Sequence, residues 1–254
     1  DSCCGSSTGT GEGKDRGGCC SGSNITALQP LQSPEQVAEL VGYDSAELKS
    51  IPEASILGVG CGTPTKFAFI KEGGTVVDLG SGAGIDVFLA ANIVRDYGKV
   101  IGIDMTDEML QKSRKNAAGN GYTNVEFRKG DIEERIPVDS NSVDVIISNC
   151  VINLTTDKVK TFSEIHRILK PNRIGKLVIS DLVTDKQITE DPSSIDLDKW
   201  CDCIDGALTK ENYIASIKKG GFDTIEVLEE KTYTEGDHVD NRKITSLVIK
   251  AVKQ

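Results

Sequence analysis

The stretch Thr75 to Ile85, TVVDLGSGAGI, constrains the fold more than any other. Thr75, Val76 and Val77 lead into Asp78-Leu79 as a short strand. The run then breaks into Gly80-Ser81-Gly82-Ala83-Gly84, and an apolar helical pattern follows. This reads as strand, tight glycine turn, helix. Glycine tolerates positive φ and lets a backbone approach a ligand closely. The helix start beyond it offers unpaired N–H groups to a negative ligand group. The glycines fall as G-x-G-x-G, and Ile85 stands where a dinucleotide fingerprint would place its third glycine.

With Asp78 at the strand end, the stretch resembles the first motif of class I S-adenosylmethionine methyltransferases, roughly D/E-x-G-x-G-x-G. That donor carries an amino-acid tail, which Asp78 and the amides of Gly80, Ser81, Gly82 and Gly84 would orient. An ordinary strand–turn–helix explains the stretch alone equally well. Residues downstream separate the two. Lys99 to Ile103 is a second buried strand ending in Asp104, where Rossmann-type folds place the acid that holds ribose hydroxyls. Met105 follows, a soft apolar side chain suited to an adenine face. Asn124 to Arg128 is a third strand, and the resemblance implies that Gly130-Asp131-Ile132 brackets the adenine amino group. Ser142 to Ser148 is a fourth strand ending in Asn149-Cys150.

Further along, the run 157–169 carries Val159, Phe162, Ile165, Ile168 and Leu169 at helical spacing before Pro171. His166 there has no acid or thiol partner in sequence and reads as a surface or packing residue. Gly175 to Ser180 is a fifth strand, and Thr224–Glu229 and Ile244–Val252 complete the sheet as a hairpin. Alternating strands and helices predict an α/β fold, a doubly wound, mostly parallel seven-stranded sheet. Ligands then bind beyond the carboxyl ends of the strands, so Asp78, Gly80, Asp104, Asn149 and Cys150 share one rim. Upstream, Ser33-Pro34 opens a short helix with Val37, Leu40 and Val41 on its apolar face. A second runs from Asp44 to Lys49, and a third from Thr65 to Lys71. The helix after Gly84 turns Ile85, Phe88, Leu89 and Ile93 inward. Three parts are expected: a Cys/Gly/Ser-rich arm over 1–30, a donor-binding α/β domain over 31–182, and a C-terminal region over 183–254. The polar run Asp185 to Asp198 reads as an excursion or lid.

The 254 residues carry a net charge of −10. A surface that tracks phosphates is normally basic, so nucleic acid is not expected as a partner. No apolar run spans a bilayer and no export signal opens the chain, so a soluble cytoplasmic protein is expected, without membrane contact. Nothing signals oligomerisation, and a monomer is expected. There are eight cysteines and only two histidines. In a reducing compartment such cysteines are thiols for soft ions or redox work. Cys3-Cys4 and Cys19-Cys20 are adjacent pairs. Their Cα atoms stand about 3.8 Å apart, below the roughly 4.4 Å minimum of ordinary disulfides. Cys3-Cys4 reads as incidental.

Cys150, just past the fourth strand, has three readings: a packing residue, a nucleophile, or a ligand for a soft acceptor. Cys61 lies in a second glycine loop, and Cys201-x-Cys203 follows Trp200. No C-x-x-C pair marks a zinc knuckle. Three motifs together are similar to the arsenite methyltransferases: G-C-G-x-P at Gly60–Pro64, S-N-C-V-I-N-L at Ser148–Leu154, and W-x-x-C-I-x-G-A-L at Trp200–Leu208. The resemblance covers the chain from about Cys20 onward. It implies that Cys61, Cys150 and Cys203 bind trivalent arsenic, and that Cys20 or Cys19 is a fourth family cysteine, with Cys201 an addition. Arsenic held by three sulfurs keeps a lone pair that attacks the methyl directly, so no general base is needed. The resemblance also implies that enzyme thiols end as a disulfide, reset by thioredoxin or glutathione. A carbon or oxygen methyltransferase, or a metalloid-binding protein without turnover, are the alternatives.

Overall fold

The computed structural model describes residues 33–186, 206–232 and 242–254. Seven strands form one sheet in the order β3-β2-β1-β4-β5-β7-β6. They are β1 (Thr75–Leu79), β2 (Lys99–Asp104), β3 (Val125–Lys129), β4 (Val145–Asn149), β5 (Lys176–Thr184), β6 (Thr224–Thr232) and β7 (Ile244–Val252). Strands β1 to β5 pair in parallel, β7 runs antiparallel to β5, and β6 antiparallel to β7. The order reverses between β1 and β4, the crevice where such sheets bind ligands.

Strand alternation sorts the core into two faces. Val77, Leu79, Ile101 and Ile103 pack with Phe162, Ile165, Tyr213 and Ile217, which belong to helices α6 (Lys158–Ile168) and α7 (Lys210–Lys219). Val76 and Val100 face the other way, onto Phe88 and Leu89 of α4 (Ile85–Val94) and Leu110 of α5 (Asp107–Gly119). Before β1 come α1 (Pro34–Val41), α2 (Ser45–Lys49) and α3 (Pro64–Phe67). Ser33 and Gln36 form a capping box on α1, as Asp44 and Glu47 do on α2.

The seven-stranded, mostly parallel sheet agrees with the sequence reading. Three local expectations do not hold. Helix α3 stops at Phe67 rather than Lys71, because Phe69 takes a left-handed φ of 47° that no helix continues. Ile93 is 39% exposed and Leu40 62% exposed, where both were expected inward. On α1 it is Ala38 that is buried, flanked by half-buried Val37 and Val41. The expected excursion lies outside the described residues from 187 onward, and so do the arm and the cysteines at 3, 4, 19, 20, 201 and 203.

The β1–α4 turn tolerates little added bulk. Gly80 has φ 72°, and a Cβ there would stand 2.3 Å from a Val151 methyl. Gly80→Ala is expected to cost about 2–4 kcal/mol in a urea titration, combining left-handed strain with overpacking. Adding Val151→Ala should return part of that loss; full stability in the single variant would contradict the described turn.

Candidate functional site

The carboxyl ends of β1, β2, β4 and β5 carry the site. Between the β1–α4 turn and the Leu57–Gly60 segment lies a small cavity open to solvent. Asp78, Gly80, Ser81, Gly82, Asp86, Gly60 and Asn149 are among its lining residues. Gly82 has φ 51° and open space where a Cβ would project. The Ser81 hydroxyl is buried and has no hydrogen-bond partner among the described residues. A buried hydroxyl in that condition beside a cavity is a place where a ligand group fits. Gly84 N-caps α4 with φ 104°.

Two buried carboxyls line this cavity. Asp78 is 3% exposed, and burial, then the neighbouring Asp86 and Asp104 charges, push its pKa well above the usual carboxylate range. Asp86 is 2% exposed and is raised to about 6, chiefly by burial. Hydrogen bonds from Tyr43, Asn149 and Thr65 pull it back only partly. Asp104 is half-buried and accepts from the Gly82 N–H at 2.9 Å and from the Thr106 N–H and hydroxyl. Its carboxylate therefore ties the end of β2 to the glycine turn. Met105 beside it is 55% exposed. Asp131 is exposed and accepts from the Glu133 N–H. Ile132 is 7% exposed and packs in the core with Leu79 and Ile103, so its side chain is occupied by packing.

The thiol side of the rim starts one residue past β4. Cys150 adopts φ 58°, a left-handed conformation that costs an L-residue about 1–2 kcal/mol. Its N–H donates to the Ser180 carbonyl at 2.9 Å, so the β4–β5 pairing itself holds the bend. Cys61 lies in the irregular loop before α3, 4% exposed. Its N–H donates to Asn149 Oδ1 at 3.0 Å, and its carbonyl accepts from the Ser246 hydroxyl. The two cysteines were expected as separate thiols. The structure joins them in a disulfide with Cα atoms 5.9 Å apart, inside the ordinary range. Leu182 and Ile244 are buried against the pair, with Leu154 partly buried beside them.

Sequence reading missed three residues that the fold brings here. Asp181, on β5, is 2% exposed, and its carboxylate oxygen and the two sulfurs lie within 4.8 Å of one another. It accepts from the Tyr213 hydroxyl at 2.8 Å and from the Asn153 and Leu182 N–H groups, and burial raises it to about 6. Asp86 and the Tyr43 hydroxyl are hydrogen-bonded at 2.8 Å. An acid in the first turn of a helix usually serves the helix dipole, so Asp86 carried no distinguishing mark. His166 packs edge-on against Phe222, as a packing residue should.

Asp86 yields a pH dependence of known sign. Its folded pKa lies above its unfolded value of 3.8, so its favourable contribution is complete below that value and is lost as pH rises through about 6. Asp86→Asn keeps the oxygen acceptor and removes the ionisation. Between pH 4 and pH 7, the stability of Asp86→Asn relative to wild type should improve by about 2–3 kcal/mol in urea titrations. A difference that stays flat with pH would refute the assignment.

A family model described as "Methyltransferase domain" matches residues 70–227, more than half of the chain. Two curated relatives are similar over most of it. An arsenite methyltransferase of Halobacterium salinarum is 41% identical over 219 residues, 86% of this chain and 53% of that protein. One of Aquipseudomonas alcaligenes is 33% identical over 220 residues, 84% of this chain and 58% of that protein. The chain thus spans between half and three-fifths of their length. Among solved structures, an arsenic(III) S-adenosylmethionine methyltransferase of Chlamydomonas reinhardtii is similar at TM-score 0.67 and 29% identity, covering 89% of this chain and 75% of that one. With the sheet order, the glycine turn and the rim already placed, the chain belongs to the methyltransferase-domain family.

Proposed function

We propose that the chain transfers a methyl group from S-adenosylmethionine to trivalent arsenic held by the thiolates of Cys61, Cys150 and Cys203, a detoxifying reaction. One observation carries the reading. Cys61 and Cys150, 89 residues apart in sequence, have their sulfurs together on the rim, and Asn149 borders both that pair and the cavity.

The residues present fit such a donor. A cavity lined by two buried carboxyls suits a cationic ligand, and the unpartnered Ser81 hydroxyl suits a polar one. When bound, S-adenosylmethionine supplies an electrophilic methyl carbon. Asp78 and the turn Gly80-Ser81-Gly82 with Gly84 would hold its amino-acid end, Asp104 its ribose, and Met105 with Asp131 and the backbone of Ile132 its adenine. Asn149 would keep the thiol loop against the cavity.

On the acceptor side the chain offers sulfur, which selects soft centres, between the apolar Leu182 and Ile244 and the buried Asp181 carboxylate. Cys203 stands three residues before Gly206, and a Cβ on Gly206 would come 2.0 Å from the Asn153 carbonyl, so the described end of the third motif touches the loop after Cys150. Cys20 in the arm would exchange with the disulfide, and thioredoxin or glutathione would return it to dithiol. In this reading residues 31–182 hold the donor, 183–254 complete the sheet and supply Cys203, and the chain acts as a monomer.

The test is methyl transfer by the full reduced chain with arsenite and S-adenosylmethionine, products identified by mass spectrometry. Cys61→Ser and Cys150→Ser should each lower turnover by a factor of about 100 or more while donor affinity changes less than about twofold. Ser81→Ala should weaken donor affinity by about three- to tenfold. Full arsenic methylation without Cys150, or transfer only to an organic acceptor, would sink the proposal.

A further inference from the structure

The loop that carries Cys61 has no regular secondary structure, so its backbone polar groups need other partners. The Asn149 side chain supplies two of them. Its Oδ1 accepts from the Cys61 N–H at 3.0 Å, and its Nδ2 donates to the Gly62 carbonyl at 2.8 Å. Gly60 permits this approach: with φ 117° it passes so close to Asn149 that a Cβ would lie 2.9 Å from the amide. The bonds require one orientation of the amide. A flipped Asn149 would point its NH2 at the Cys61 N–H, donor against donor, and its oxygen at the Gly62 carbonyl.

What selects that orientation lies on other elements. The buried Tyr43 hydroxyl, between α1 and α2, accepts from Asn149 Nδ2 at 2.9 Å and donates to Asp86 Oδ2 at 2.8 Å. Asp86 also stands 3.4 Å from Asn149 Nδ2 and takes the Thr65 hydroxyl at 3.4 Å. Asp86 therefore fixes where the Tyr43 proton points. With its proton committed, Tyr43 faces Asn149 with lone pairs only, and the amide must turn its nitrogen toward Tyr43 and its oxygen toward Cys61. We propose that Tyr43 and Asp86 are positioning residues for the Cys61 thiol, acting through the Asn149 side chain. The inference takes from the functional reading only what the thiols bind, not how Cys61 is held.

The effective concentration of Cys61 toward Cys150 reports the positioning and needs no arsenical. In the full chain equilibrated with reduced and oxidised dithiothreitol, two electrons and two protons pass from the reagent dithiol to the Cys61–Cys150 disulfide, giving two protein thiols and the cyclic reagent disulfide. Alkylation and peptide mass spectrometry read this pair apart from the other six cysteines. Tyr43→Phe and Asp86→Ala should each shift the equilibrium toward the dithiol by about five- to tenfold. Asp86→Asn, which keeps an oxygen acceptor for Tyr43, should stay within about twofold of wild type. Tyr122→Phe breaks another tyrosine hydrogen bond to α4, at Asn92, away from the thiols, and should leave the equilibrium unchanged. A Tyr43→Phe ratio equal to wild type, an equal shift in Tyr122→Phe, or a wild-type chain whose Cys61 and Cys150 never pair would overturn the inference. If Tyr43→Phe does not fold, the two Asp86 variants decide: a shift in Ala but not in Asn supports the relay, and equal ratios refute it. A chain that binds no trivalent arsenical while showing these shifts would refute the substrate reading alone.

Discussion

The site depends on β4 being paired in parallel on both edges at once. Asp78 is in register with Ile147 on one side, and Asn149 with Ser180 on the other. That double pairing ends the three strands on one rim, with the glycine turn after β1, the cysteine after β4 and the acid of β5 within a few residues of one another. A central strand cannot slide by one residue without turning each of its side chains to the opposite face. The placement of Cys150 relative to the glycine turn is therefore set by main-chain hydrogen bonding and buried Val, Ile and Leu side chains. The reactive groups themselves contribute little to it.

Against that rigid rim the chain sets a loop with no ladder of its own. Cys61 is held by side chains from the ends of two strands, Asn149 from β4 and Ser246 from β7. The arrangement spends stability in two places. Cys150 sits in a left-handed conformation, and Asp78 and Asp86 are buried close together, where a carboxylate is costly. Both costs fall at the rim, which is where a fold tolerates them if a bound cation or a shaped thiol pair is the return.

The sheet was legible because its strands are short apolar runs punctuated by Gly, Asp and Asn, and because β-branched strands alternate with helical spacing. Asp78, Asp104 and Asn149 were legible for the same reason, as polar residues ending such runs. The packing of single helical residues was less so. Leu40 and Ile93 fit an apolar pattern yet face solvent, since helix position relative to the sheet, not composition, decides which stripe is covered. Tyr43, Asp86 and Asp181 were invisible as site residues. Each looks ordinary until topology sets it beside distant groups: Tyr43 meets Asp86 and Asn149 across 43 and 106 residues, and Asp181 meets Asn153 and Tyr213 across 28 and 32. The convergence of Cys61 with Cys150 came from motif resemblance. No periodicity in either segment implies it.

The disulfide closes a loop of 89 residues that contains β1 to β4 and both helices between them. Cross-linking a loop of that size restricts the unfolded chain by an amount worth about 4–5 kcal/mol, comparable to the whole margin of many domains. The dithiol form, which alone offers two sulfurs to an incoming atom, is thereby the more fragile of the two. The redox state of this pair then governs resistance to proteolysis as well as whether two thiols are available.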